Sequence, residues 1–470
     1  MAAGEKESGF SLATLSLYVL MVAMIGMHFW YSASVDISGI HIYVVDGAVL
    51  LVYVAAGLRV LAGGRPKVGL VGYSLIAMIG MLLVAAVIGA GSDRPLQSVL
   101  NDLKTGLYLA TYFPATVLLR SWKDVDRLLK FSLVLVVAAA IYDVNTRLGG
   151  PNYYPQDASA VEVYLSSGTV SRAFGLITAP AYYGIALAFV AAAVVVQPMA
   201  LWKRWALIAI ATLLLVLDVV QLLRGVLVGL AVFGAVFAVF VFATGGRKAI
   251  NLGLYIFALA FVGTLVVLAL NAAGSSATLQ PLIERVASIV DPNASTTHAA
   301  ATGAQRLDFV VGVADDLGLR GQLLFGRGLG YGLVDRETSV AGVPVFYPTL
   351  AYHSAAGWLL SKTGIAGSAL FGFLVTSFVV RTAVVYGRLK DPRLLALFLG
   401  GIGAFMFLLA TSLAENYLLQ YPFTVPLAGM LLAVPEVAAA PTLLAQALPR
   451  VARVSPLAQP TAGVASLGRT

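Results

Sequence analysis

The sequence predicts an all-α polytopic membrane protein, and three observations carry that prediction. Of its 470 residues, 60% are hydrophobic and only 11% charged, and the mean hydropathy is +0.90. A soluble domain needs roughly a quarter of its residues charged to cover its surface. Apolar runs of about 20 residues, the length an α-helix needs to cross the hydrocarbon of a bilayer, recur along the chain. Basic residues gather on every second connection between those runs, as orientation in a membrane requires. The net charge of +8 would suit a nucleic acid, but the clusters form no continuous basic stripe, and no nucleic-acid partner is expected. There is no cysteine, which excludes disulfides, thiolate nucleophiles and cysteine-bound metal.

Residues 1–9 are polar, and the apolar run over 10–33 is longer than the signal-peptide core of about 7–15 residues, so it reads as the first span. Further spans fall near 43–62, 68–90, 98–119, 126–147, 176–198, 203–222, 225–244, 250–271, 352–384, 392–413 and 417–438, about twelve in all. Asp102 and Lys104 interrupt the start of the fourth. The chain thus divides into helices 1–9 over 1–271, one large loop over 272–351, helices 10–12 over 352–438, and a tail over 439–470. That tail is rich in Ala, Pro and Ser, a disordered composition. Arg59, Arg65 and Lys67 follow span two, and Arg120, Lys123, Arg127 and Lys130 lie between spans four and five. Lys203-Arg204, Arg247-Lys248, the group Arg381 to Arg393, and Arg450 with Arg453 continue the alternation. It places both termini in the cytoplasm and the large loop outside.

The large loop contains two stretches with helical periodicity. Leu279, Leu282, Ile283, Val286 and Val290 form one stripe; Leu307, Val310, Val311, Ala314 and Leu317 form the other, with Asp308, Asp315 and Asp316 turned away. Such helices lie along a leaflet or cap a cavity. Between them and the next span stands the run Gly326-Arg327-Gly328-Leu329-Gly330-Tyr331-Gly332. It follows no strand of a βαβ unit, so it is no nucleotide fingerprint. Its glycines read as letting the loop backbone approach a bulky ligand closely.

Arginines on the outer side run against the local charge trend. Arg172 precedes one span, Arg224 opens another six residues after Asp218, and Arg306 sits on the edge of a loop helix. Each reads either as an interfacial side chain closing a turn or as part of an anion site, where forked guanidinium donors suit diphosphate oxygens. His353, beside Tyr347 and Tyr352, opens span ten, as a helix-start residue or as a base whose unperturbed pKa near 6.5 keeps it neutral. Lys362 lies further down that span with no role assigned, and Glu415 is either a turn residue or a partner of one arginine. No His-Glu-x-x-His and no paired carboxylates at metal-ligand spacing occur, so neither metal nor cofactor is expected.

Taken in order, these features resemble the O-antigen ligase and O-antigen polymerase superfamily of bacterial inner-membrane glycan transferases. The resemblance covers about residues 170–425. It rests on Arg172 with Gly175 and Pro180, Leu223-Arg224-Gly225, Arg306, Leu324 to Gly330, His353-Ser354 with Gly364 and Gly367, and Glu415. Ligases of this family resemble a histidine, then Asn, Ser or Gln, then nine residues and a glycine; His353, Ser354 and Gly364 fit that spacing. Arg172 to Gly184 and Arg306 to Gly318 are each one residue longer than the polymerase pattern, which favours ligase. Where this chain has Lys362 the family often has an acidic residue, so no role is carried onto it.

The resemblance implies a GT-C-like fold with a periplasmic active site. The donor would be a glycan on undecaprenyl diphosphate, and the acceptor a sugar hydroxyl of lipid A–core or, for a polymerase, a second lipid-linked glycan. Arg224 and Arg306 would hold the diphosphate in place of a divalent ion, and His353 would take the acceptor proton. Arg172, Arg327, Tyr331, Tyr347, Tyr352 and Glu415 complete the expected contacts to diphosphate and glycan. A flippase or transporter without covalent chemistry is the rival of another class, although no duplicated halves are visible.

Overall fold

A computed structural model describes residues 12–26, 34–37, 40–92, 94–147, 161–165, 168–172, 179–220, 224–244, 310–331, 333–334, 338–340, 343–345, 348–349, 354–414 and 416–440. The regular structure of the described chain is helical apart from four two-stranded antiparallel sheets. In order it runs α1 (Leu12–Gly26), β1 (Ser34–Ile37), β2 (Ile40–Tyr43), α2 (Val44–Leu61), α3 (Leu70–Ala90) and α4 (Leu96–Leu107). A 3-10 turn (Tyr108–Thr111) leads to α5 (Tyr112–Leu118), α6 (Trp122–Arg147), β3 (Val161–Leu165), β4 (Gly168–Arg172), α7 (Ala179–Val196), α8 (Leu201–Val220) and α9 (Arg224–Thr244). Then come α10 (310–319) and four short strands between 333 and 349. The chain continues through α11 (Ala355–Tyr386), α12 (Pro392–Ser412), α13 (Val425–Leu432) and α14 (Val434–Ala438).

Seven described helices are long and apolar enough to cross a membrane, which makes this a membrane protein of several spans. They are α2, α3, α6, α7, α9, α11 and α12. The sequence expects about twelve, and the shortfall has identifiable reasons. Span four is not one helix: α4 gives way to the 3-10 turn before α5. Span one is the 15-residue α1, and span twelve is two short helices, α13 and α14. Span seven, α8, carries Lys203, Arg204 and Asp218. Span nine lies outside the described residues, as do most of the large loop, its first periodic stretch and the tail beyond 440.

Two antiparallel packings set the frame. Helix α3 runs against α11: Ser74 and Ser377 share a 2.8 Å hydrogen bond near one end, while the chain beside Lys362 meets Ala85 and Gly89 near the other. Helix α12 runs against both α7 and α9, with Gly184 and Gly229 against Phe407, Gly400 against Phe189, and Gly403 against Phe233. Small residues facing aromatic rings bring apolar helices close where lipid gives no hydrophobic push. Asp391 starts α12, its Oδ1 accepting from Arg393 N at 2.7 Å and Leu394 N at 3.2 Å, with Pro392 behind it.

Following the chain through these contacts gives the bundle two ends. One is basic and holds the turns near 62–69, 119–121 and 387–391. The other, the loop end, receives the end of α3, the starts of α7, α9 and α11, and the end of α12.

Candidate functional site at the loop end

The glycine run does not stand off in solvent. It is wedged between α3, α4 and α11 at the loop end. Gly326 N donates to Gln322 O (2.8 Å), Arg327 N to Ser361 O (2.8 Å), Gly328 N to Lys362 O (3.1 Å) and Leu329 N to Ala85 O (2.9 Å). Helix α11 is broken opposite the wedge, at Gly364 (φ 65°, ψ −162°). The amides past the break turn to the wedge as well: Ile365 N donates to Leu323 O and Ala366 N to Leu324 O, each at 3.0 Å. Gly326, Gly328 and Gly330 all have positive φ, and a Cβ at Gly326 would sit 2.6–2.7 Å from the backbone of Lys362 to Gly364. The sequence reading of these glycines is therefore corrected. Close approach is indeed their use, but what approaches is protein backbone, which needs partners for the amides freed at the break.

Lys362, unassigned by sequence, is fully buried and ion-paired with Asp102 of α4. The same carboxylate oxygen accepts from Gly330 N at 2.7 Å, so one acid ties the loop to two helices. The ammonium also lies 5.4 Å from the centre of the Trp358 ring. Lys104, two residues on from Asp102, pairs with Asp46 at 2.8 Å. The two charges that interrupt span four thus each have a partner, as ionisable groups at bilayer depth require.

Above the wedge lies a cluster of arginines. Arg327, 9% exposed, is ion-paired with Asp316, and Asp316 also accepts from Arg320 Nε at 2.9 Å. The guanidinium carbons of Arg327 and Arg94 lie 4.3 and 4.7 Å from the centre of the Tyr331 ring. Among the described residues, Arg327 Nε is buried without a hydrogen-bond partner. Desolvation pushes the Asp316 carboxyl up, but the hydrogen bond from Arg320 and the charges of Arg327 and Arg320 outweigh it and hold the group below its usual range. Burial, partly offset by Asp316, draws the Arg327 value down, and Arg320 and Arg94 add to the lowering. Helix α10 buries Val313 and Leu317, whereas Val311 is exposed and Asp316 turns toward Arg327. The buried face is rotated from the predicted stripe, and the turn brings Asp316 to Arg327.

Of the residues the sequence singles out, the structure brings Arg327 and Tyr331 into contact. The backbones of Arg172, the last residue of β4, and Arg224, the first of α9, are described, but their side chains lie outside the described residues. So do Arg306, Tyr347, Tyr352, His353 and Glu415 entirely. Arg224 opens α9 at the loop end, and Ser354, next in the chain after His353, caps α11 at that same end.

Sequence reasoning missed Arg94, although it breaks the rule that outer connections are poor in basic residues. It also missed Asp143, which accepts a hydrogen bond from Tyr183 and is buried. Asp218 is buried near the end of α8, and neither carboxylate oxygen has a hydrogen-bond partner among the described residues. No group of three His, Asp or Glu side chains is placed to hold a metal among the described residues. A cavity of about 290 Å³ between α1, α6, α7, α12 and α13 is lined mostly by apolar side chains such as Met21, Trp122, Ile185 and Met430, with Asp126, Lys130 and Gln197 also on its wall. No known protein family matches the chain, and no curated protein matches it in sequence. What fold and site define is a helical membrane protein that carries, among the described residues, a backbone wedge and an arginine cluster at one end of the bundle.

Proposed function

We propose that the protein is a lipid-linked glycan transferase of the O-antigen ligase type, with about twelve spans, a GT-C-like architecture and both termini cytoplasmic in a bacterial inner membrane. The observation that carries the proposal is positional. Arg224, the Ser354 cap that follows His353, and the Arg94–Tyr331–Arg327 cluster all belong to the loop end, opposite the basic turns. That is the arrangement a periplasmic site requires under the positive-inside rule.

In this reading Arg224 and Arg306 hold the diphosphate of an undecaprenyl-diphosphate-linked glycan. His353 takes the proton from a sugar hydroxyl of lipid A–core as its oxygen attacks the anomeric carbon. The bond from that carbon to the phosphate oxygen breaks, its electron pair leaves with undecaprenyl diphosphate, and the configuration inverts. The arginines stabilise the charge that grows on the leaving group. Arg172, Arg327, Tyr331, Tyr347, Tyr352 and Glu415 are the expected contacts to diphosphate and sugars.

Purified protein given labelled donor and lipid A–core tests this. His353→Ala and Arg224→Ala should each lower transfer by about 100-fold or more; full transfer by both variants overturns the assignment. Replacing lipid A–core by a second lipid-linked glycan identifies a polymerase by a lengthened lipid-linked product. Movement of donor across vesicles without any covalent product identifies a flippase.

A further inference from the structure

We propose that Arg94 and Arg327, set about the ring of Tyr331, form a binding site for a phosphate group at the membrane surface. It shares Arg327 and Tyr331 with the diphosphate and glycan contacts of the reading above and adds Arg94, but it uses none of Arg224, Arg306 and His353 and is tested without any transfer reaction.

Four observations carry it. The two guanidinium carbons lie 4.7 and 4.3 Å from one ring centre, so they are closer together than the roughly 10 Å over which 0.1 M salt screens charge. Arg320 adds a third cation, and among the described residues Asp316 is the one carboxylate paired with any of the three, holding Arg327 and Arg320 but not Arg94. Arg327 is 9% exposed and its Nε has no acceptor among the described residues, a buried donor that costs free energy until something accepts from it. Finally, the backbone beneath is fixed: Arg327 N, Gly328 N, Leu329 N and Gly330 N are all bonded to α3, α4 or α11, so the cluster needs little ordering to receive a ligand.

The chemistry selects the ligand class. Crowded guanidinium forks repel each other until an anion lies between them, and a tetrahedral phosphate offers oxygens to both at once. Arg94 is exposed in the connection after α3 and Arg327 is buried, so the anion enters from the loop-end surface on the side of Arg94. Such a phosphate comes either from a bilayer phospholipid headgroup or from a soluble phosphate.

The test uses the full chain. One arm titrates inorganic pyrophosphate calorimetrically into protein delipidated in a neutral maltoside. The other reconstitutes the protein in nanodiscs of phosphatidylethanolamine and phosphatidylglycerol, and counts co-retained phosphatidylglycerol by native mass spectrometry. Arg94→Gln is the principal variant, since an exposed side chain leaves the fold in place. Arg388→Gln, exposed at the basic end, is the control.

Arg94→Gln should weaken binding about tenfold or more in at least one arm. Loss in the nanodisc arm alone assigns the site to a phospholipid headgroup; loss with pyrophosphate assigns it to a soluble phosphate. The proposal is overturned if wild type binds neither probe, if Arg94→Gln stays within about twofold of wild type in both arms, or if Arg388→Gln loses as much.

Discussion

Helix α11 carries an ion pair near each end, and the two are built as opposites. Towards the loop end the ammonium is the sealed partner: Lys362 is 0% exposed, whereas the Asp102 side chain is 22% exposed and also bonded to Gly330 N. Towards the basic end the carboxylate is sealed: Glu436 of α14 is 4% exposed, and Arg381 is 25% exposed. There Arg381 grips both oxygens, Nε to Oε1 and Nη2 to Oε2, each at 2.7 Å. The first pair ties a loop and α4 to the helix; the second ties down the last described helix. The cost of breaking such a pair depends on which partner is left behind, because a sealed charge has no water to turn to.

The largest effects should follow from that asymmetry. Asp102→Leu strands Lys362, and Arg381→Met strands Glu436; each should cost about 3–5 kcal/mol of stability, seen as a lowered unfolding midpoint in detergent. Lys362→Met and Glu436→Leu leave the partner that still reaches water and should cost distinctly less. Asp102→Leu combined with Lys362→Met should recover most of the loss. Equal losses for Asp102→Leu and Lys362→Met would show that exposure does not govern the cost.

Next in size is the backbone contrast. Gly328→Ala forces φ 82° on an L-residue and sets its Cβ 2.7 Å from Gly89 Cα, so it should cost at least about 1–3 kcal/mol. Gly387→Ala at the basic end, where φ is −62° and a Cβ meets open space, should stay within about 0.5 kcal/mol by the same measurement.

The smallest effect is the titration of Asp316. Its folded value lies below the unfolded one, near 3.9, so its contribution is fully present above about pH 5 and is lost as pH falls through the folded value. Wild type and Asp316→Asn should therefore differ by a small, constant amount at neutral pH and converge only below about pH 4. Convergence already at pH 6 would show that the pair with Arg327 and Arg320 does not hold the carboxylate down.

Much of the fold was legible because α2, α3, α7, α9 and α12 are apolar runs of spanning length, and hydropathy finds these within a few residues. The break in span four was foreshadowed by Asp102 and Lys104, but the partner of Asp102 stands 260 residues away. Periodicity carries no information about such a pairing. The glycine run was seen as a place of close approach, yet composition cannot distinguish a ligand's surface from a neighbouring helix. Arg94 escaped notice because one arginine in a short connection looks like an exception until Tyr331 and Arg327 are seen around it. Arg224 and Ser354 stand at one end of the bundle because the order of crossings puts the starts of α9 and α11 there.

The break at Gly364 has a consequence for how the protein comes apart. Among the described residues, the amides of Ile365 and Ala366 and the carbonyls of Ser361 and Lys362 are bonded to the segment from Leu323 to Gly328. Neither piece can loosen alone without leaving bare peptide groups in a low-dielectric interior. The first turns of α11 and the wedge must therefore open and close as one cooperative unit, with their amides exchanging with solvent together.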